Sequence, residues 1–174
     1  MSDLTNIEFK AKVHDLESYE EKLKTLHPEF IGVDHQIDHY FNTKNARLKL
    51  RAGSIENALI HYERPDTNDV KKSEVILYKH APDDALKNIL IAQLGIKVVV
   101  DKIRKIYFIG NVKFHFDLVQ DLGTFIEVEA INFGNRFTIE QLQAQCDHYF
   151  NFLELEKKDL IAKSYSDLIL ETTA

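Results

Sequence analysis

What this chain lacks narrows it before any motif is considered. A single cysteine, Cys146, rules out an internal disulfide and any zinc site built from several thiolates, and suits a reducing compartment. No stretch approaches the roughly 20 consecutive apolar residues that a membrane span needs. The opening Met1-Ser2-Asp3-Leu4-Thr5 has no basic segment leading into an apolar run, so a cytoplasmic location is the expectation. Positive charge is also short, with 22 Lys and Arg against 28 Asp and Glu, a net charge of -6. The surface as a whole therefore attracts neither DNA nor acidic membranes, and any anion must be held by a local concentration of positive side chains. There is no Gly-x-x-x-x-Gly-Lys or Gly-x-Gly-x-x-Gly loop, which leaves phosphate binding by a nucleotide-loop fold unsupported. Repeats, low-complexity tracts and linkers are likewise missing, and 174 residues at 44% hydrophobic composition fit one domain, 1–174, with a sizeable core.

What is present is alternation. In Asn6-Ile-Glu-Phe-Lys-Ala-Lys12, an extended backbone puts Asn6, Glu8, Lys10 and Lys12 on one face and Ile7, Phe9 and Ala11 on the other. Asp15 opens a helical segment with Leu16, Tyr19, Leu23 and Leu26 at helical spacing, closed by Pro28. Gln36–Phe41 reads as a strand and leads through Asn42-Thr-Lys-Asn45 into Arg47-Leu-Lys-Leu-Arg51, where the three basic residues share a face. Strands over Ala58–Arg64 and Glu74–Lys79 follow, separated by a polar loop with Pro65-Asp66, Lys71 and Lys72. Pro82-Asp83-Asp84 starts a helix that Gly95 ends. Three further strands are expected over Ile96–Ile109, Val112–Val119 and Thr124–Ile131, turned by Gly110-Asn111 and Asp121-Leu-Gly123. Thr138-Ile-Glu-Gln141 fits a capping box for a helix with Leu142, Cys146, Tyr149 and Leu153 on one face, and a final segment runs from Asp159 to Leu170. About eight strands, mostly joined by hairpins, with three or four helices, give an α+β antiparallel sheet or barrel.

At least four of these strands have one apolar and one ionic face. That ionic face either meets solvent, as one face of an antiparallel sheet commonly does, or lines a closed barrel, for which about eight strands suffice. Two features favour closure: the strand count, and the sorting of charge by strand. Arg47, Lys49, Arg51, Lys102 and Arg104 are positive, while Glu127 and Glu129 are negative. Charges inside a barrel are costly unless paired, hydrated or met by a ligand. A polyphosphate held by the Lys and Arg side chains, with divalent ions between its oxygens and the carboxylates, is one solution. Oxygen ligands point to Mg²⁺ or Mn²⁺.

The motifs together resemble the CYTH superfamily, the class IV adenylate cyclase and thiamine triphosphatase group. They are Glu8-x-Lys10-x-Lys12, Asp38-His-Tyr-Phe41 with Arg47-x-Lys49-x-Arg51, Tyr62-Glu-Arg-Pro-Asp66, Lys102-x-Arg104, His115-x-Asp117, Glu127-x-Glu129 and Ser164-Tyr-Ser-Asp-Leu168. The resemblance implies a closed antiparallel barrel, a triphosphate tunnel, with helices packed outside. It implies Glu8, Asp117, Glu127 and Glu129 as metal ligands. It implies Lys10, Lys12, Arg47, Lys49, Arg51, Arg64, Lys102 and Arg104 as phosphate-binding residues, and Glu8, Lys10, Glu127 and Glu129 as the catalytic set. The family's opening motif is often Glu-x-Glu-x-Lys, and here Asn6 stands at its first acid.

The activity so implied is metal-dependent hydrolysis of a triphosphate. The alternatives are ATP cyclisation, a non-catalytic polyphosphate or nucleotide binder, and a barrel for an unrelated small anion. The expected partner is a triphosphate-containing small molecule, with neither DNA nor membrane, and the assembly state is open, a homodimer included. Tyr40 and Phe41 are expected to pack rather than stack on a base, Cys146 to lie in the core, and Tyr165 to close one end of the barrel. His115, beside Asp117, is a candidate for supporting a metal ligand.

Overall fold

The structure, a computed structural model, describes residues 3–63 and 71–174. Chain order is β1 (Asp3–Lys12), α1 (Leu16–Lys24), β2 (Glu29–Phe41), β3 (Arg47–Gly53), β4 (Ala58–Glu63), β5 (Lys71–Lys79), α2 (Asp84–Leu94), β6 (Ile96–Ile109), β7 (Val112–Val119), β8 (Gly123–Ile131), α3 (Ile139–Phe152) and α4 (Tyr165–Thr172). The strands pair antiparallel in the order β1-β5-β4-β3-β2-β6-β7-β8, and β8 returns to β1 to close the barrel. No helix among the described residues is long and apolar enough to cross a membrane.

Most boundaries follow local chemistry. The Asp15 carboxylate accepts from the Ser18 amide and caps α1, with Glu17 in the first turn and Lys22 and Lys24 in the last, as the helix dipole favours. Thr138 and Gln141 close a reciprocal capping box on α3, and Ser164 and Asp167 do the same on α4. Gly95 ends α2 at a φ of 71, where a Cβ is disfavoured. The main departure from the sequence reading is β2, which begins at Glu29 rather than Gln36. Pro28 and Gly32 resemble turn punctuation, but Gly32 instead marks a bulge in the long β2–β6 ladder.

Two apolar clusters bracket the barrel wall. Outside it, Ile7, Phe9, Phe114, Phe116, Ile126 and Val128 pack against Leu23 of α1 and Leu142, Cys146 and Leu153 near and on α3. Each large side chain buried there contributes roughly 1.5–3 kcal/mol. Inside, Tyr40, Val100, Val119, Phe125 and Tyr165 fill one end of the lumen under Leu168 and Ile169 of α4. Among the buried acids that sequence reasoning did not single out is Glu20. Glu20 of α1 accepts from the Tyr107 hydroxyl at 2.5 Å and from Lys105 at 2.7 Å, tying the helix to β6.

The turn between β3 and β4 is stapled by the fully buried Asp34. Its carboxylate accepts from the amides of Ile55 and Glu56 at 2.8 and 2.9 Å, from Ser54 Oγ at 3.0 Å and from Gln36 Nε2 at 2.8 Å. Gly53 is needed because a Cβ there would lie 2.5 Å from the Glu56 carbonyl oxygen and 2.8 Å from Asp34 Oδ1. Gly53→Ala is therefore expected to cost about 1–3 kcal/mol, the usual range for overpacking. Urea denaturation monitored by circular dichroism measures it, and an unchanged midpoint would show that the turn relaxes freely.

Candidate active site

Strand register dictates which charges meet inside the barrel. Asp38 faces Arg51 across β2–β3, Arg104 faces Asp117 across β6–β7, and Glu8 faces Glu129 and Lys10 faces Glu127 across β1–β8. Inward-pointing neighbours in register become ion pairs where signs differ and repel where they match. These walls enclose a cavity of about 260 Å³ lined from all eight strands.

Two carboxylates organise the cations. Asp38, fully buried, takes two bonds from Arg51 at 2.9 Å each and one from Lys102 at 2.9 Å, with Lys49 at 3.2 Å. Burial alone would raise its carboxyl, but Arg51, Lys102 and Lys49 together hold it well below the usual range. Asp117 takes two bonds from Arg104 at 2.7 and 2.6 Å and a third from the Tyr165 hydroxyl at 2.7 Å. A third acid, Glu56, comes from the β3–β4 turn and accepts from Lys113 at 2.5 Å. Burial again opposes its ionisation, and Lys113 and Arg51 overcome that penalty.

Opposite lies an acidic patch. Glu127 is 3.4 Å from Lys10 and 3.1 Å from Arg104, and His115 Nδ1 is 3.2 Å from the same Glu127 oxygen that Arg104 reaches. A ring nitrogen of His115 and one oxygen each of Glu127 and Glu129 lie within 4.8 Å of one another. Burial, and then Glu8 directly across the ladder, push the Glu129 carboxyl up to about 7. Burial, and then Arg104, push His115 down to about 3, so its imidazole is neutral at physiological pH. On the basic side, burial brings Lys102 down to about 7 against the pull of Asp38. The donor set of two or three carboxylates and one neutral imidazole fits a divalent cation.

The middle of the remaining wall is apolar, with Ile60 and Tyr62 of β4 and Val75 and Leu77 of β5 facing the lumen between Ser73 and Lys79. Of the residues anticipated from sequence, Glu8, Lys10, Lys49, Arg51, Lys102, Arg104, Glu127 and Glu129 line the cavity. Asp117 lies behind Arg104 and Tyr165 instead of facing the cavity with the other acids. Lys12, exposed at the end of β1, and Arg47, bonded at 2.9 Å to Asp167 of α4, stand outside the lining. Arg64 lies outside the described residues, as do the side chains of Lys71 and Lys72. Tyr165 does reach the end of the lumen, where Lys10 Nζ is 3.9 Å from its ring centre. Sequence reasoning gave no role to Asp38, Glu56 or Lys113. Lys113 alternates with His115 and Asp117, which were chosen, and Asp38 opens one of the motifs that carry the family resemblance, whereas Glu56, in a short turn, carries no periodic signal.

Comparison with known proteins agrees with this geometry. The CYTH domain matches residues 4–165, and the chain belongs to that family. It is 27% identical over 178 residues to a protein of Methanocaldococcus jannaschii named "Putative adenylate cyclase MJ0240", covering 95% of this chain and 98% of that one. Its fold is that of the PH1012 protein of Pyrococcus horikoshii, with a TM-score of 0.78 at 24% identity over 94% of this chain and 98% of the other. It is also that of a Hippeastrum protein, "Putative adenylyl cyclase HpAC1", described as having a dominant triphosphatase activity. There the TM-score is 0.61 at 12% identity, over 98% and 95% of the two chains.

Two outcomes follow from the charges. Asp38→Ala strands Arg51, Lys102 and Lys49 without their carboxylate, and should cost roughly 3–5 kcal/mol in urea denaturation; a loss under about 1 kcal/mol would mean that the cations find water instead. Glu129 binds its proton more tightly folded than unfolded, so its contribution to stability is complete below about pH 4.5 and lost as pH rises to about 7. In chelator, the melting temperature of Glu129→Gln should therefore gain on that of the parent across this window and level off above it. A constant difference would place Glu129 in an ordinary solvated setting.

Proposed function

We propose that the protein is a divalent-ion-dependent phosphohydrolase acting on a triphosphate held in the lumen. The observation that carries this reading is the opposition of walls within one cavity: Lys49, Arg51 and Lys102 on one side, Glu8, Glu127 and Glu129 on the other. A triphosphate laid between them meets ammonium and guanidinium donors along one edge. Its other edge faces acids that repel it unless a cation intervenes.

In this reading Lys10, Lys49, Arg51 and Lys102 grip the phosphate oxygens, with Arg104 held in place by Asp117. Glu8, Glu127 and Glu129 hold Mg²⁺ or Mn²⁺, which supplies charge neutralisation to the transferring phosphoryl group. Asp38 keeps three of the donors splayed in fixed positions, so little reorganisation is needed when charge shifts during transfer. The activity described for the Hippeastrum protein supports hydrolysis. A second reading, cyclisation of ATP with release of pyrophosphate, is favoured by the name of the M. jannaschii relative. It uses the same grip shifted along the substrate, so that the ribose hydroxyl attacks the innermost phosphorus.

Incubation with inorganic triphosphate, thiamine triphosphate and ATP, each with Mg²⁺ or Mn²⁺, separates the readings by product. Free phosphate is the expected outcome; cyclic AMP with pyrophosphate would establish the second reading, and no turnover with any of the three would overturn both. Glu129→Ala should remove turnover, and Lys49→Ala should weaken triphosphate binding by roughly 1.5–3 kcal/mol, the range for a hydrogen bond to a charged group. Parent-like calorimetric affinity in Lys49→Ala would remove that wall from the binding site.

A further inference from the structure

Buried polar atoms nearly always find a partner, and those that do not call for an explanation. Among the described residues, three such atoms belong to residues lining this cavity: Asn6 Oδ1, Ser73 Oγ and His115 Nε2. Asn6 and Ser73 are directly opposed across β1–β5 and are small neutral groups that a water can serve. His115 differs, because its ring is 1% exposed and packed beside carboxylates.

A carboxylate can only accept, so the contact of 3.2 Å between Nδ1 and Glu127 places the ring proton on Nδ1 and leaves the Nε2 lone pair bare. A histidine that binds a metal is found in this state, one nitrogen donating to a carboxylate and the other open. A nitrogen of the same ring lies with one oxygen each of Glu127 and Glu129 inside a span of 4.8 Å, so the ring stands at the acidic patch where the proposed function puts the ion.

Building on the ion-dependent reading above, we propose that a ring nitrogen of His115 is a ligand of the divalent ion, so that the site is mixed nitrogen and oxygen rather than all oxygen. Bonding through Nε2 keeps Nδ1–H on one oxygen of Glu127, which then orients the imidazole, and satisfies both ring nitrogens. The consequence is selectivity. Mg²⁺ is best served by oxygen, whereas affinity for a site with an imidazole rises from Mn²⁺ to Co²⁺ along the first-row series. His115 therefore makes this lumen favour Mn²⁺ and Co²⁺ over Mg²⁺.

Pulsed electron paramagnetic resonance on the parent protein loaded with Mn²⁺ tests this directly, because a coordinated imidazole nitrogen modulates the echo. The expected result is ¹⁴N modulation in the parent and its loss in His115→Gln. Titration calorimetry should show Co²⁺ affinity falling by at least about 10- to 100-fold in His115→Gln, the loss that follows removal of a group that merely supports a ligand, with a much smaller change for Mg²⁺. Bound Mn²⁺ without nitrogen modulation in the parent would overturn the inference and leave the ion-dependent reading standing. A spectrum of free Mn²⁺ alone, at protein in excess, would overturn both. The parent measurement does not depend on the variant folding.

Discussion

Every charged group in this barrel depends on one constraint, that a cation cannot be taken out of water without an anion beside it. Asp38 meets that requirement for Arg51, Lys102 and Lys49 at once, and Asp117 meets it for Arg104. Removing Asp38 would leave three buried positive charges facing one another at short range, where repulsion is poorly screened, whereas Arg104 without Asp117 would keep Glu127 alone as its partner. Buried ion pairs of this kind roughly break even against their desolvation. Net stability must then come from elsewhere, and the apolar cluster between the outer wall and helices α1 and α3 is where it is found. The barrel thus divides its labour: the outside holds the fold together, and the inside is kept charged for another purpose.

The alternation of strands was plain in the sequence because a period of two is local. Arg47-Leu-Lys-Leu-Arg51 and Glu127-Val-Glu129 declare their faces without reference to anything else in the chain. Closure was harder, since nothing in a strand states whether its ionic face meets water or other strands; the sorting of charge and the family resemblance supplied what periodicity could not. Partners were hardest of all. That Asp117 bonds Arg104 and that Arg47 reaches Asp167 on α4 are facts of register and of a helix 120 residues away. Glu56 was illegible for a different reason, because it gains its place only once Asp34 has folded the turn around it.

The apolar wall of β4 and β5 gives the lumen a polarity across its width as well as along its length. A ligand bound against Lys49 and Arg51 has Ile60 and Tyr62 as neighbours on the adjoining strand. Asn6 belongs to this transition. It occupies the acid's place on β1 yet faces Ser73 of β5, so the acidic patch ends abruptly at Glu8 and Glu129. Apart from Lys79 at the end of β5, charge lining this cavity among the described residues is gathered into an arc.

The internal pairing also bears on how the protein responds to salt. Among the described residues, the lumen holds Lys10, Lys49, Arg51, Lys79, Lys102, Arg104 and Lys113 against Glu8, Asp38, Glu56, Asp117, Glu127 and Glu129, so most of its counter-ions are built into the wall. On an exposed basic surface, capture of a polyanion sets free a cloud of mobile ions, and affinity falls steeply as salt is added. Here fixed carboxylates stand in the place of such a cloud. On the proposed function, an entering anion would exchange one fixed partner for another, and its grip would be governed by how readily those carboxylates let go more than by the ionic strength outside.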